Sequence, residues 1–300
     1  MNYNFKGMLK NSWNSDSFIV ELVALLFLTF FVLLWKWIAD AYIKKHKKLF
    51  LSSTWTLTTF LMIVLSWANS HYLTNSSPTP IGNPIVIFGQ IFLQAFNANS
   101  SILGNNANLG EIHYQGIFYL LGGEFIGFVL GVVLFFVIFA GIKRLKQPQF
   151  ALLNNVSVEE IFKVEADNSI YYGIKEGIFI TIFSICLLFI PYINPTAYST
   201  SLFFNMLILI IAVFFMLYLS SYFGFFAFNL FIALLFHLIN LIMIFKRERQ
   251  NNQQIKNIAL QNKFLIINVL TLVIVSIIIP MLVAIIAVQI AITKGIKLTF

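Results

Sequence analysis

Six stretches of this chain are apolar for long enough to cross a lipid bilayer as helices. They are Phe18–Trp37, Thr54–Leu73, Gly116–Ile142, Ile174–Ile193, Leu202–Tyr222 and Phe264–Ile292. A helix needs ~20 mainly apolar residues to span the hydrocarbon layer, and no other open structure satisfies its backbone there. The rest of the composition agrees: 59% of residues are hydrophobic and 10% charged, against roughly a quarter charged in soluble domains. The sequence therefore predicts an all-α, multi-pass protein of the cell membrane. The first run follows Asp16 and contains Glu21. It is long enough to span and has no small-residue cleavage site, so it reads as a span and not as a cleavable leader.

Two further apolar stretches do not fit a simple crossing. Pro84–Phe96 is too short, and Phe223–Phe245 is interrupted by Asn229 and carries His237 and Asn240. Charge arbitrates, because basic loops collect on the cytoplasmic side. If only the six long runs cross, Lys6, Lys10, Lys294 and Lys297 lie on one face and every other Lys and Arg lies on the opposite face. If both short stretches also cross, the two faces become nearly equal. Six crossings with two re-entrant segments is the arrangement the charges favour, and it puts both ends of the chain outside. The net charge of +8 then reports topology, with Lys44–Lys48 contacting lipid headgroups, and nucleic acid is not expected as a partner.

The halves resemble one another. Glu21 lies early in the first span and Glu176 early in the fourth. Asn83 and Asn229 each open one of the re-entrant stretches, and both pairs are separated by about half of the 300 residues. Three crossings per half force the second copy to sit upside down. The expected division is a first repeat over 1–146, a polar surface connector over 147–172 and a second repeat over 173–300. Inverted repeats with broken helices place a solute path near the midplane.

Asn83-Pro84 explains how a helix starts inside the membrane. Asn is a favoured N-cap and Pro a favoured first helical residue. A helix beginning there presents unpaired N–H groups and a positive dipole end. Two such ends meeting at Asn83 and Asn229 suit polar neutral solutes and repel cations.

With "NPIVIFG" at Asn83–Gly89, "VELVALLFLTF" around Glu21, "GGEFIGFVLG" around Glu124 and "AFNLFIALLFHL" at Ala227–Leu238, the chain resembles the aquaporin and glycerol-facilitator family. The resemblance implies six spans, two half-helices and a homotetramer in which each protomer carries its own pore. It also implies a passive channel for water, glycerol or a similar small neutral solute. Pore and selectivity positions would fall on Asn83, Pro84, Asn229, Phe226, Phe231 and Ile232, and the structural buried acids on Glu21, Glu124 and Glu176. The second box departs from the family. Leu230 stands for its proline, Phe231 for its alanine, and Ile232 for the arginine of its filter, so the outer constriction is more apolar and Phe231 is placed to narrow the path.

Two other classes stay open on the residues themselves. Glu21, Glu124 or Glu176 would couple ions or protons in a secondary transporter or permease subunit, and a blocked pore would leave a non-conducting channel relative. No nucleophile–base set, phosphate loop or metal-ligand spacing is present, so neither an enzyme nor a cofactor is expected. The single Cys186 offers no disulfide.

Overall fold

The structure, a computed structural model, describes residues 5–74, 80–95, 114–145, 147–164, 168–189, 202–224, 228–250 and 255–294. Phe226 lies outside these residues. So do Ile190–Ile193 at the end of the expected fourth span.

The described residues form helices and no strands. A short α1 (Phe5–Lys10) precedes α2 (Ser15–Tyr42) and α3 (Lys47–Thr74), each of 28 residues. The half-length α4 (Pro84–Ala95) follows, then α5 (Ile117–Arg144). Two single-turn helices, α6 (Ala151–Asn155) and α7 (Val158–Ile161), lead to α8 (Ser169–Phe189) and α9 (Leu202–Ser220). The chain closes with α10 (Leu230–Gln250) and the 40-residue α11 (Ile255–Lys294). Five of these helices, α2, α3, α5, α8 and α11, are long and apolar enough to cross a membrane. The protein is a multi-pass, all-α membrane protein.

The closest helix pair is α2 with α5, and glycine is the reason. Gly123, Gly127 and Gly131 recur every fourth residue and form one stripe on α5. A Cβ at Gly123 would meet the Phe18 carbonyl oxygen at 2.6 Å, and one at Gly131 the Leu26 carbonyl oxygen at 2.7 Å. At Gly127 it would run into the Leu22 carbonyl oxygen. Without side chains the backbones come into direct contact, which is how helices associate where no hydrophobic gain exists between lipid and protein. This places α2, with Glu21, directly beside Glu124 of α5.

The remaining packing joins the two halves of the chain. Helix α2 packs on α3 and α5, as α8 packs on α9 and α11; α4 and α10 both pack chiefly on α11; and α3 packs on α9. The polar residues of α3 hide within the helix: Thr56 and Thr58 donate to the Ser52 and Thr54 carbonyl oxygens at 2.7 and 2.8 Å. Such back-bonding lets a threonine-rich segment enter an apolar surrounding. In α11, Pro280 cannot donate to the Ser276 carbonyl, which marks a weak point in that long helix.

The segment expected as a surface connector does more. Leu153, Val156, Ile161 and Phe162 are buried, and the indole N–H of Trp37 donates to the Leu153 carbonyl at 3.2 Å. Ser157 and Glu160 form a reciprocal capping box that starts α7. The segment also ends earlier than expected, since Ser169–Tyr172 already belong to α8. The aromatic and aliphatic side chains of a nominally polar stretch close one end of the bundle.

Candidate functional site

Helix α4 begins at Asn83, and its carboxamide oxygen caps the helix by accepting from the Ile85 N–H at 3.1 Å. Asn229 does the same for α10, accepting from Phe231 and Ile232 N–H at 3.1 and 3.3 Å. The residue before each asparagine is left-handed, Gly82 at φ +62° and Phe228 at φ +48°. Glycine adopts that conformation freely, whereas for phenylalanine it is strained. Stacking of Phe228 on Phe183, with ring centroids 5.0 Å apart, helps hold it.

The two caps are joined to each other. The Asn83 amide nitrogen donates to the Phe228 carbonyl at 2.6 Å, and the Asn229 amide nitrogen donates to the Gly82 carbonyl at 3.2 Å. From this junction the helices run to opposite ends of the bundle. Helix α4 heads toward α1, whose Leu9 carbonyl accepts from the Gly116 N–H at the start of α5. Helix α10 heads toward the segment after α5, where Asn240 donates to the Val164 carbonyl at 3.2 Å.

Glu21 fixes the first turn from behind. Fully buried on α2, its two carboxylate oxygens accept from Ile81 and Gly82 N–H at 2.7 and 2.8 Å. Glu124, also fully buried, stands beside Glu21 with its carboxyl toward the Asn83 N–H. Neither of its oxygens reaches hydrogen-bond geometry. Glu176 is 3% exposed and borders a space of about 20 Å³ against Phe228, Asn229, His237 and Ser276. That volume holds about one water.

In front of the junction lies a cavity of about 160 Å³. Asn83 and Asn229 form its polar wall together with Thr59. Leu28, Val32, Met62, Phe183, Val213 and Ile232 are among the apolar residues that line the rest. Apolar cavities near 150 Å³ stay dry in water-soluble proteins and accept a guest the size of benzene. Here two carboxamides add hydrogen-bond donors to such a wall.

A second cavity, of about 430 Å³, lies beside His237 of α10 and is lined by five lysines. Trp55 and Leu217 border both cavities, so they form the wall between them. Glu160 at its edge is held below the ordinary carboxylate value, first by the Ser157 N–H and hydroxyl, then by the Lys143 and Lys36 ammonium groups. It remains a carboxylate at neutral pH.

No family model, curated protein or solved structure matches this chain.

Of the residues singled out from sequence, Asn83, Asn229 and Ile232 meet at the central cavity, with Glu21 and Glu124 behind them. Pro84 is buried as the first residue of α4 and does not line the cavity. Phe231 points elsewhere. Its ring packs on Phe125 and Phe128 of α5 at 5.8 and 5.6 Å, so it does not narrow the space before the junction. The neighbouring Ile232 is the one that faces the cavity. Sequence reasoning missed Trp55, Thr59 and Met62 of α3. Its run of hydroxyl residues around a tryptophan, "SSTWTLTT", was the signal available. The stretch after Asn229 also forms a longer helix than the half-length element expected, 21 residues against 12 for α4. Its last residues, "KRERQ", extend beyond its apolar part.

Proposed function

We propose that the protein is a passive membrane channel for small neutral solutes, built on an aquaporin-like inverted repeat with a degenerate filter. The observation that carries this reading is the crossed hydrogen-bonded junction of Asn83 and Asn229 on the wall of an apolar cavity. Each carboxamide nitrogen has two hydrogens, and the crossed bond uses one. The other is available to a solute that has shed water to enter. Two helix N-termini converging there disfavour a cation by their dipoles. The paired Asn caps of α4 and α10, and the like packing of α2 on α3 and α5 and of α8 on α9 and α11, support two inverted halves, with α9 as the sixth span. Ile232 in place of a charged filter residue favours solutes less polar than those an arginine would hold.

Proteoliposome flux tests this reading. Water or glycerol flux above the lipid background, linear in gradient and lowered in Asn83→Leu, supports a channel. Saturable flux that follows an imposed proton or ion gradient contradicts it.

Glu124 favours a second reading, a proton- or ion-coupled transporter. It is a buried intramembrane carboxyl without a hydrogen bond, and such groups mark ion pathways in many membrane proteins. Glu124→Gln separates the two: a channel keeps its neutral-solute flux, whereas a coupled transporter loses gradient-driven uptake.

A further inference from the structure

None of the described residues that line the cavity of about 160 Å³ before the asparagine junction is charged. An ion entering it would shed its water and meet no opposite charge, a cost that a neutral wall does not offset. The occupants it can hold are neutral.

The junction itself presents hydrogen-bond donors. The carboxamide oxygens of Asn83 and Asn229 are engaged by the first turns of α4 and α10. Their nitrogens donate to the Phe228 and Gly82 carbonyls, and each keeps one further hydrogen. Those two carbonyls are thereby engaged as well. A guest at the junction is met by N–H groups and bonds to them through an accepting oxygen.

Away from the junction the wall is chiefly apolar. Leu28, Val32, Val213 and Ile232 are aliphatic and Phe183 is aromatic. Met62 packs its thioether against Gly82. Thioethers are polarizable and adapt to the outline of what they touch. Thr59 adds a hydroxyl, but its hydrogen goes to the Trp55 carbonyl at 3.0 Å. A polyol bears a hydroxyl on every carbon, and against this wall most of them would lose water without a replacement. A molecule with one oxygen on an apolar body loses little hydration and regains it at the carboxamides. A mostly apolar lining with a few placed polar groups is the usual form of a small-molecule site.

We infer that the central cavity is a binding site for a compact neutral molecule, up to about the size of benzene, with a single accepting oxygen on an otherwise apolar body. The oxygen accepts from the Asn83 and Asn229 carboxamides, and the body lies against Val32, Phe183, Val213 and Ile232. This rests on the channel reading above and names the solute class for which the path is built, with polyols disfavoured.

The test uses the purified full chain in nanodiscs with isotope-labelled asparagine. It is titrated with cyclopentanone and, separately, with glycerol, which has as many non-hydrogen atoms. Nuclear magnetic resonance follows the side-chain amide signals of Asn83 and Asn229, with the other asparagines as internal reference. The expected result is a saturable shift of these two signals by the ketone, with glycerol at least tenfold weaker. Val213→Phe fills the cavity without touching the junction and should weaken ketone binding at least tenfold. Equal affinity for the two ligands, junction signals that do not saturate, or undiminished ketone binding in folded Val213→Phe overturns the inference. If that variant does not fold, the comparison of the two ligands on the native chain decides. Solute flux measured on the same protein in liposomes separates the two claims. Selective ketone binding without flux of any solute sinks the channel and leaves the site; flux with equal ketone and glycerol binding sinks the inference and leaves the channel.

Discussion

Asn83 and Asn229 each donate a hydrogen bond to the carbonyl of the residue that precedes the other, Phe228 and Gly82, respectively. Each side chain thereby caps its own helix with its oxygen and ties down the opposite turn with its nitrogen. The arrangement is an interlock: each helix start is tied to the other. A double-mutant cycle of Asn83→Ala and Asn229→Ala should give a coupling energy of about 1–2 kcal/mol, well above that of distant pairs. Unfolding of the purified single and double variants in detergent measures it.

Glu21 acts on the same turn from the opposite side. Its removal strands the Ile81 and Gly82 N–H groups in the bundle interior, and each buried unsatisfied donor costs roughly 1–3 kcal/mol. Glu21→Ala should therefore destabilise by about 2–6 kcal/mol. Glu21→Gln keeps one acceptor oxygen and should lose less. Thermal unfolding of the two variants beside the native chain checks the order.

The glycine stripe makes a sharper structural prediction. Gly127→Ala drives a methyl into the Leu22 carbonyl, and overpacking of this kind costs typically 1–3 kcal/mol. Gly141 lies on the same helix with open space around its Cα. Gly141→Ala should leave the melting temperature unchanged or raise it slightly.

Phe231 and Ile232 are adjacent in sequence but about 100° apart around a helix, so substitutions at the two act differently. Ile232→Ala should enlarge the central cavity and raise solute flux. Phe231→Ala should lower stability by loss of its ring contacts with Phe125 and Phe128, with flux per folded molecule unchanged. Leu217→Ala, which thins the wall between the two cavities, should also raise flux.

The first turn was legible because several local signals agreed there. Asn followed by Pro is a strong helix start, the following apolar stretch is too short to cross, and an intramembrane glutamate demands donors nearby. The second turn carried only Asn229, and its phase was hidden: Leu230, Phe231 and Ile232 are all apolar, so nothing in the sequence shows which one faces the cavity. The buried role of Leu153, Ile161 and Phe162 was obscured by the polar residues around them, although the Ser157–Glu160 spacing is a readable capping box. The five cavity lysines read individually as topology signals. Their convergence depends on α2, α3 and α8 meeting at one end, which is tertiary information. Glu21 and Glu124 likewise become neighbours only through the glycine stripe of α5.

Stopped-flow light scattering on proteoliposomes tests the central claim most directly, with an impermeant osmolyte and then glycerol as the challenge, for the native chain and for Asn83→Leu and Asn229→Leu. The expected result is non-saturable flux of at least one of these solutes above empty liposomes, lowered in both variants at equal reconstituted protein. Flux of both solutes no greater than that of empty liposomes, or flux unaltered by either substitution, would contradict a solute path along the asparagine junction.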